Sequence, residues 1–168
     1  RKLKINPVIV VSSTSEVYGD CKKKVIDENQ QIQPNNPYAV SKSFQDLLAS
    51  NYSKIYGLRI IITRMFTYFN AKRSNLFASS WAKQILQIEK GKRKILTHGN
   101  LNTSRSIISM QDALNAYWLA AKKCKIGEVY NIGGGKNIKL KDFLKILKSL
   151  SKVKIVSKID KKLLRKTG

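Results

Sequence analysis

A chain of 168 residues, 42% hydrophobic and 26% charged, is long enough to bury a real core and has the composition of a globular domain. It contains no run of about 18 apolar residues, which excludes a membrane-spanning helix, and no secretory signal precedes its first apolar stretch, so a cytoplasmic protein without a membrane partner is expected. The formal charge of +23 invites a polyanion, but only seven of the 33 basic residues are arginine, the residue on which groove readers rely; a lysine-biased composition gives the same excess, and nucleic acid is not an expected partner.

Residues 8–12, Val-Ile-Val-Val-Ser, form a short β-branched run suited to a buried strand. A buried parallel strand needs neighbours on both sides and none precedes this one, so the chain is expected to be the C-terminal portion of a longer protein. Residues 19–36, with Gly19, Asp20, Pro34, Asn35 and Asn36, read as a long loop. Pro37 then fits the first turn of a helix, with Asn35 or Asn36 as its cap. Val40, Phe44, Leu47, Leu48 and Tyr52 repeat at helical spacing as the apolar face of this helix, and Gly57 ends it.

Residues 58–64 form the second clear strand, followed by a loop carrying Thr67, Tyr68, Asn70, Lys72 and Arg73. A helix is predicted over 77–90, stopped by Gly91, then a short strand over 93–97 and an extended piece over 104–108. Residues 110–123 form an amphipathic helix with Ala113, Ala116, Tyr117 and Ala120 on one face. A strand over 128–132, a glycine turn at 133–135 and a last helix over 139–150 follow. Strands alternating with helices imply an α/β fold with a parallel sheet and crossover helices. The glycine run is not a dinucleotide loop, because the fingerprint requires glycine where Ile138 stands and should open its domain; it reads as a strand-to-helix turn. Cys21 and Cys124 lack ligand spacing and His98 has no metal partners, so no metal site is expected.

Tyr38 and Lys42 supply the chemistry. Four residues on a helix is just over one turn, about 6 Å along the axis, so both side chains leave the same face. An ammonium fixed beside a phenol favours the phenolate, which makes the pair a candidate acid–base. Taken alone, the spacing is as well explained by an amphipathic helix. Its context is more specific: an apolar strand ending in Ser12-Ser13-Thr14-Ser15-Glu16-Val17-Tyr18-Gly19, a loop, then Pro37-Tyr38-Ala39-Val40-Ser41-Lys42.

That string resembles the extended short-chain dehydrogenase/reductase family. Tyr56-Gly57-Leu58-Arg59, Thr63-Arg64-Met65-Phe66, Ile88-Glu89-Lys90-Gly91, His98-Gly99-Asn100-Leu101 and Gly127-Glu128-Val129-Tyr130-Asn131-Ile132-Gly133 are similar to one branch of it. The branch comprises GDP-mannose 4,6-dehydratases and GDP-4-dehydro-6-deoxymannose reductases, and the likeness covers nearly the whole chain.

The resemblance implies a Rossmann-like sheet with NAD or NADP as cofactor and a nucleotide-sugar as substrate. Residues 1–70 would be the last portion of the cofactor-binding domain, and 71–168 mainly a substrate-binding part intertwined with the sheet. Tyr38 would be the base at the sugar 4-hydroxyl, and Lys42 would tune it and hold the nicotinamide ribose. Thr14 would hydrogen-bond the 4-oxygen, and Glu16 would take the proton from C5. Arg73 would contact the cofactor, and Arg105 would contact the nucleotide diphosphate.

Thr67 and Tyr68 stand where the family has Asn-His, Ala71 replaces a proline and Ser106 replaces an aspartate. Thr14-Ser15-Glu16 is closer to the dehydratase form, although reductases can carry a similar Ser-Ser-Glu. Alternatives are therefore a reductase or epimerase of the same family, a degenerate relative without activity, or a basic binding module. The whole protein is expected to be a homo-oligomer, and the 168 residues alone to bind NAD(P) poorly, without the first strand–turn–helix that receives a pyrophosphate.

Overall fold

The computed structural model describes residues 5–21, 23, 25–72 and 76–164. The described residues divide into two compact units: the first runs to Phe66 and takes in Gln111–Gly133, and the second comprises Thr67–Met110 and residues 134–164.

The first unit is built on a three-stranded parallel sheet in the order β1-β2-β6, with β1 Ile9–Thr14, β2 Ile60–Met65 and β6 Val129–Ile132. In its register Ser12 lies opposite Thr63 and Ser13 opposite Arg64, while Arg64 lies opposite Asn131. Every residue of β2 is buried, as its central position and its Ile60-Ile61-Ile62 run require. Burying each isoleucine stabilises the fold by about 1.5–3 kcal/mol. Among the described residues β1 is paired on one side only.

Helix α1, Pro37–Tyr56, crosses from β1 to β2. Asn36 caps it, its side chain accepting from the Ala39 amide at 2.9 Å, Pro37 opens its first turn, and Gly57 closes it at a positive φ of 64°. Helical spacing alone assigns the stripe Val40, Phe44, Leu47, Leu48 and Tyr52 to a core, but the structure leaves all five exposed. Ala39, Ser43, Asp46 and Ala49 form the buried face instead. Three of these are small enough for close approach to the sheet, and the fourth is ion-paired. Helix α3, Met110–Lys123, buries Ala113 and Ala120, as its pattern predicts.

The second unit has a small mixed sheet in the order β3-β5-β7, with β3 Thr67–Tyr68, β5 Ser104–Ile108 and β7 Asn137–Lys139, and a parallel pair of β4 Leu96–His98 with β8 Ser157–Ile159. Helices α2, Phe77–Glu89, and α4, Leu140–Ser149, supply Trp81, Ile85, Leu140 and Leu144 to a core completed by Leu96 and Ile155. Buried Gln84 is satisfied by Thr97, whose amide donates to its Oε1 at 2.8 Å and whose carbonyl accepts from its Nε2 at 3.2 Å. The turn at 133–135 leads into β7 rather than directly into the last helix. A Cβ at Gly134 would collide with the Ile107 carbonyl, so close approach of two backbones, not phosphate binding, accounts for that glycine. His98 Nδ1 lies 2.8 Å from the Gly99 carbonyl.

Candidate active site

The candidate residues of the first unit gather where β1 ends and α1 begins. Strand alternation sends Ser12 and Thr14 to one face of the sheet and Ser13 to the other. Thr14 is extended, with φ −147° and ψ 151°, and its Oγ1 accepts from the Glu16 amide at 3.3 Å, capping a 3-10 turn over Ser15–Tyr18. The cap uses the threonine oxygen as acceptor and leaves its O–H as a donor.

Glu16 is exposed on this turn, and its Oε2 accepts from Asn36 Nδ2 at 3.2 Å. The same asparagine caps α1 through its Oδ1. One side chain therefore ties the carboxylate to the first turn of the helix that carries Tyr38, whose side chain is half exposed. Lys42, one turn on, is held from two sides: its Nζ donates to the Ser12 carbonyl and to Gln45 Oε1, each at 2.8 Å. Helix α3 reaches the same strand end, with Tyr117 Oη 2.7 Å from Ser12 Oγ.

The structure thus brings Thr14, Glu16, Tyr38 and Lys42 to one strand end and helix start. Arg105 lies in the second unit, on β5 opposite Ile138, and its Nη1 donates to the Ser104 carbonyl at 2.9 Å. Ser106 Oγ accepts from the Gly134 amide at 2.8 Å. Arg73 lies outside the described residues. Sequence reasoning gave no part to Gln45, Tyr117 or the Ser12 carbonyl. An amide three residues after a helical lysine and a tyrosine on the small-residue face of α3 were the available signals.

The profile of the GDP-mannose 4,6 dehydratase family matches residues 1–167. The chain belongs to that family. It is 27% identical over 147 residues to GDP-6-deoxy-D-mannose reductase of Pseudomonas aeruginosa, covering 85% of this chain and 48% of that protein. The structure of RMD from Pseudomonas aeruginosa complexed with NADPH superposes with a TM-score of 0.89 at 26% identity, covering 96% of this chain and 55% of the other. A dTDP-glucose 4,6-dehydratase from Bacillus anthracis, in complex with NAD, superposes with a TM-score of 0.77 at 28% identity, covering 91% and 50%. The chain spans about half the length of these relatives. The Rossmann-like α/β class and the epimerase/dehydratase family inferred from Thr14-Ser15-Glu16 and Pro37–Lys42 agree with these matches.

Proposed function

We propose that the protein carrying this chain is a nucleotide-sugar 4,6-dehydratase that converts GDP-mannose to GDP-4-dehydro-6-deoxymannose with NAD or NADP. The observation that carries the reading is the Asn36 bridge, which holds the Glu16 carboxylate against the start of the helix bearing Tyr38 and Lys42. A dehydratase needs both groups on one sugar: an acid–base at O4 and a base at C5.

The donor set suits a nicotinamide ribose. Lys42 has three N–H groups, two of which go to Ser12 and Gln45, so its third is available to a ribose hydroxyl beside Tyr38. When bound, the dinucleotide would supply the acceptor for hydride from C4 and the source of hydride for C6. In this assignment Tyr38 takes the proton of the 4-hydroxyl, and the Thr14 O–H steadies the 4-oxygen. Oxidation at C4 acidifies C5, so a carboxylate suffices to remove its proton. Glu16 performs that step and hands the proton to the departing 6-hydroxyl, which leaves as water. A solvent proton then restores C5.

A reductase is the second reading, favoured by the similarity to GDP-6-deoxy-D-mannose reductase. It would use Tyr38 and Lys42 but would require no proton transfer at C5. Incubation of the protein with GDP-mannose and NAD(P), followed by mass spectrometry of the nucleotide-sugar, separates the two. Loss of one water supports the dehydratase. An unchanged GDP-mannose, with GDP-4-dehydro-6-deoxymannose reduced when NADPH is added, supports the reductase.

A further inference from the structure

Behind the candidate site, on the first unit's own sheet, lies a buried polar network centred on Arg64. This residue of β2 is 6% exposed. Its Nε donates to Asp46 Oδ2 at 2.7 Å, and its Nη1 donates to Tyr18 Oη at 2.9 Å and to the Glu28 carbonyl at 3.3 Å. The guanidinium carbon also lies 5.0 Å from the centroid of the Tyr18 ring. Tyr18 Oη donates onward to Asn131 Oδ1 on β6 at 2.7 Å, and Asn131 Nδ2 donates to the Ile26 carbonyl at 3.1 Å. Burial works against the Arg64 charge, yet the bonds from Tyr18 and Asp46 outweigh it and leave its pKa above the ordinary arginine value.

Stability does not account for such a cluster. A buried ion pair repays its desolvation poorly, and apolar residues of similar volume often do as well or better. Here the pair is also under-satisfied, because Asp46 Oδ1 is buried without a hydrogen-bond partner among the described residues. What the network does achieve is visible in the sequence offsets. Tyr18 belongs to the same 3-10 turn as Glu16, two residues on. Asp46 lies on α1 one turn after Lys42 and two turns after Tyr38. A single planar guanidinium therefore fastens the turn carrying the carboxylate to the helix carrying the phenol and the ammonium, with directional bonds to each.

We propose that Arg64 is a positioning residue, acting through Tyr18 and Asp46 to set Glu16 against Tyr38 and Lys42. The proposal rests on the reading of those three as the reacting groups. Misplacement by about 1 Å can cost on the order of 100-fold in rate, which is the scale at stake.

The test compares Arg64→Met, Arg64→Lys and the double variant Arg64→Met with Asp46→Leu. Arg64→Met strands a buried carboxylate and is expected to unfold at lower temperature. The double variant removes both charges at similar volume and is expected to regain wild-type thermal stability. Its kcat should nevertheless fall by roughly 100-fold while KM changes by no more than about 3-fold. Arg64→Lys keeps a cation for Asp46 but lacks the fork, so it should fold and recover only part of kcat. A double variant with wild-type stability and wild-type kcat overturns the proposal. Hydrogen exchange on the unliganded protein gives a readout independent of turnover. The amides of Glu16 and Ala39, bonded to Thr14 and Asn36, should exchange at least about 10-fold faster in the double variant and in Arg64→Lys, while β2 amides keep their protection. Unchanged exchange at both amides overturns the proposal, including in a protein whose activity proves to be different.

Discussion

Replacing Asn36 by alanine removes the cap to the Ala39 amide, the link to the Glu16 carboxylate and a bond to the neighbouring Asn35 Oδ1, of which the first two have different consequences. Loss of an asparagine cap costs about 1 kcal/mol, within a range of about 0.5–2. For a domain of this size that corresponds to a fall in Tm of roughly 2–4 °C, readable by circular dichroism. The link to Glu16 joins exposed groups and adds little to stability, but it orients the carboxylate. Two further variants separate these roles. Asn36→Ser and Asn36→Asp both cap well, so each should unfold within about 1 °C of the wild type. Serine is too short to reach Glu16, and aspartate offers it a second carboxylate in place of an N–H donor. Both should therefore slow proton transfer at C5 by about 10-fold or more, followed by deuterium uptake into the nucleotide-sugar from heavy water. An alanine variant as stable as the wild type refutes the capping argument. Serine and aspartate variants with undiminished deuterium uptake refute the role of Asn36 in aiming Glu16.

Tyr38→Phe should lower kcat by about 100- to 10,000-fold with nucleotide-sugar affinity largely retained, since it deletes a proton acceptor and little contact surface; stopped-flow absorbance of the reduced nicotinamide measures it. Glu89→Gln tests the second unit. The Lys152 amide, and after it the Ser151 hydroxyl, hold the Glu89 carboxyl below its ordinary value of 4.5. A lowered folded pKa means that the carboxylate stabilises the fold above pH 4.5 and that this contribution is lost as pH falls through the lower folded value. Thermal melts should show Glu89→Gln below the wild type at pH 7 and the gap closing on acidification beneath the carboxylate range.

Strands β1 and β2 and the boundaries of α1 were legible because each rests on local chemistry: a β-branched run, an asparagine cap, a proline at the first turn, a glycine at the last. Of the candidate site, the Tyr38–Lys42 pair was legible in its spacing along one helix, whereas Thr14 and Glu16 entered only through the resemblance of the strand end to the family. The orientation of α1 was not legible. Its most hydrophobic stripe, Val40-Phe44-Leu47, is exposed, and the face against the sheet is chosen by small side chains and by Asp46, whose partner lies 18 residues away. Arg64 inside an isoleucine strand was the visible sign that a buried charge awaited a partner. The short strands β7 and β8 left little trace, because three residues give too little alternation to detect. The 3-10 turn at Ser15–Tyr18 was hidden by its continuity with the strand before it.

The dehydratase reaction depends most directly on whether Glu16 moves the C5 proton. With the protein, GDP-mannose and NAD(P) in heavy water, deuterium at C5 of the product is read by mass spectrometry and proton NMR. The wild type should incorporate deuterium at C5, whereas Glu16→Gln should lose this exchange and still oxidise C4, seen as reduced nicotinamide held at a low steady level. Deuterium incorporation by Glu16→Gln at the wild-type rate would contradict the assignment of Glu16 as the C5 base, and a wild type that leaves GDP-mannose without C5 deuterium would favour the reductase reading.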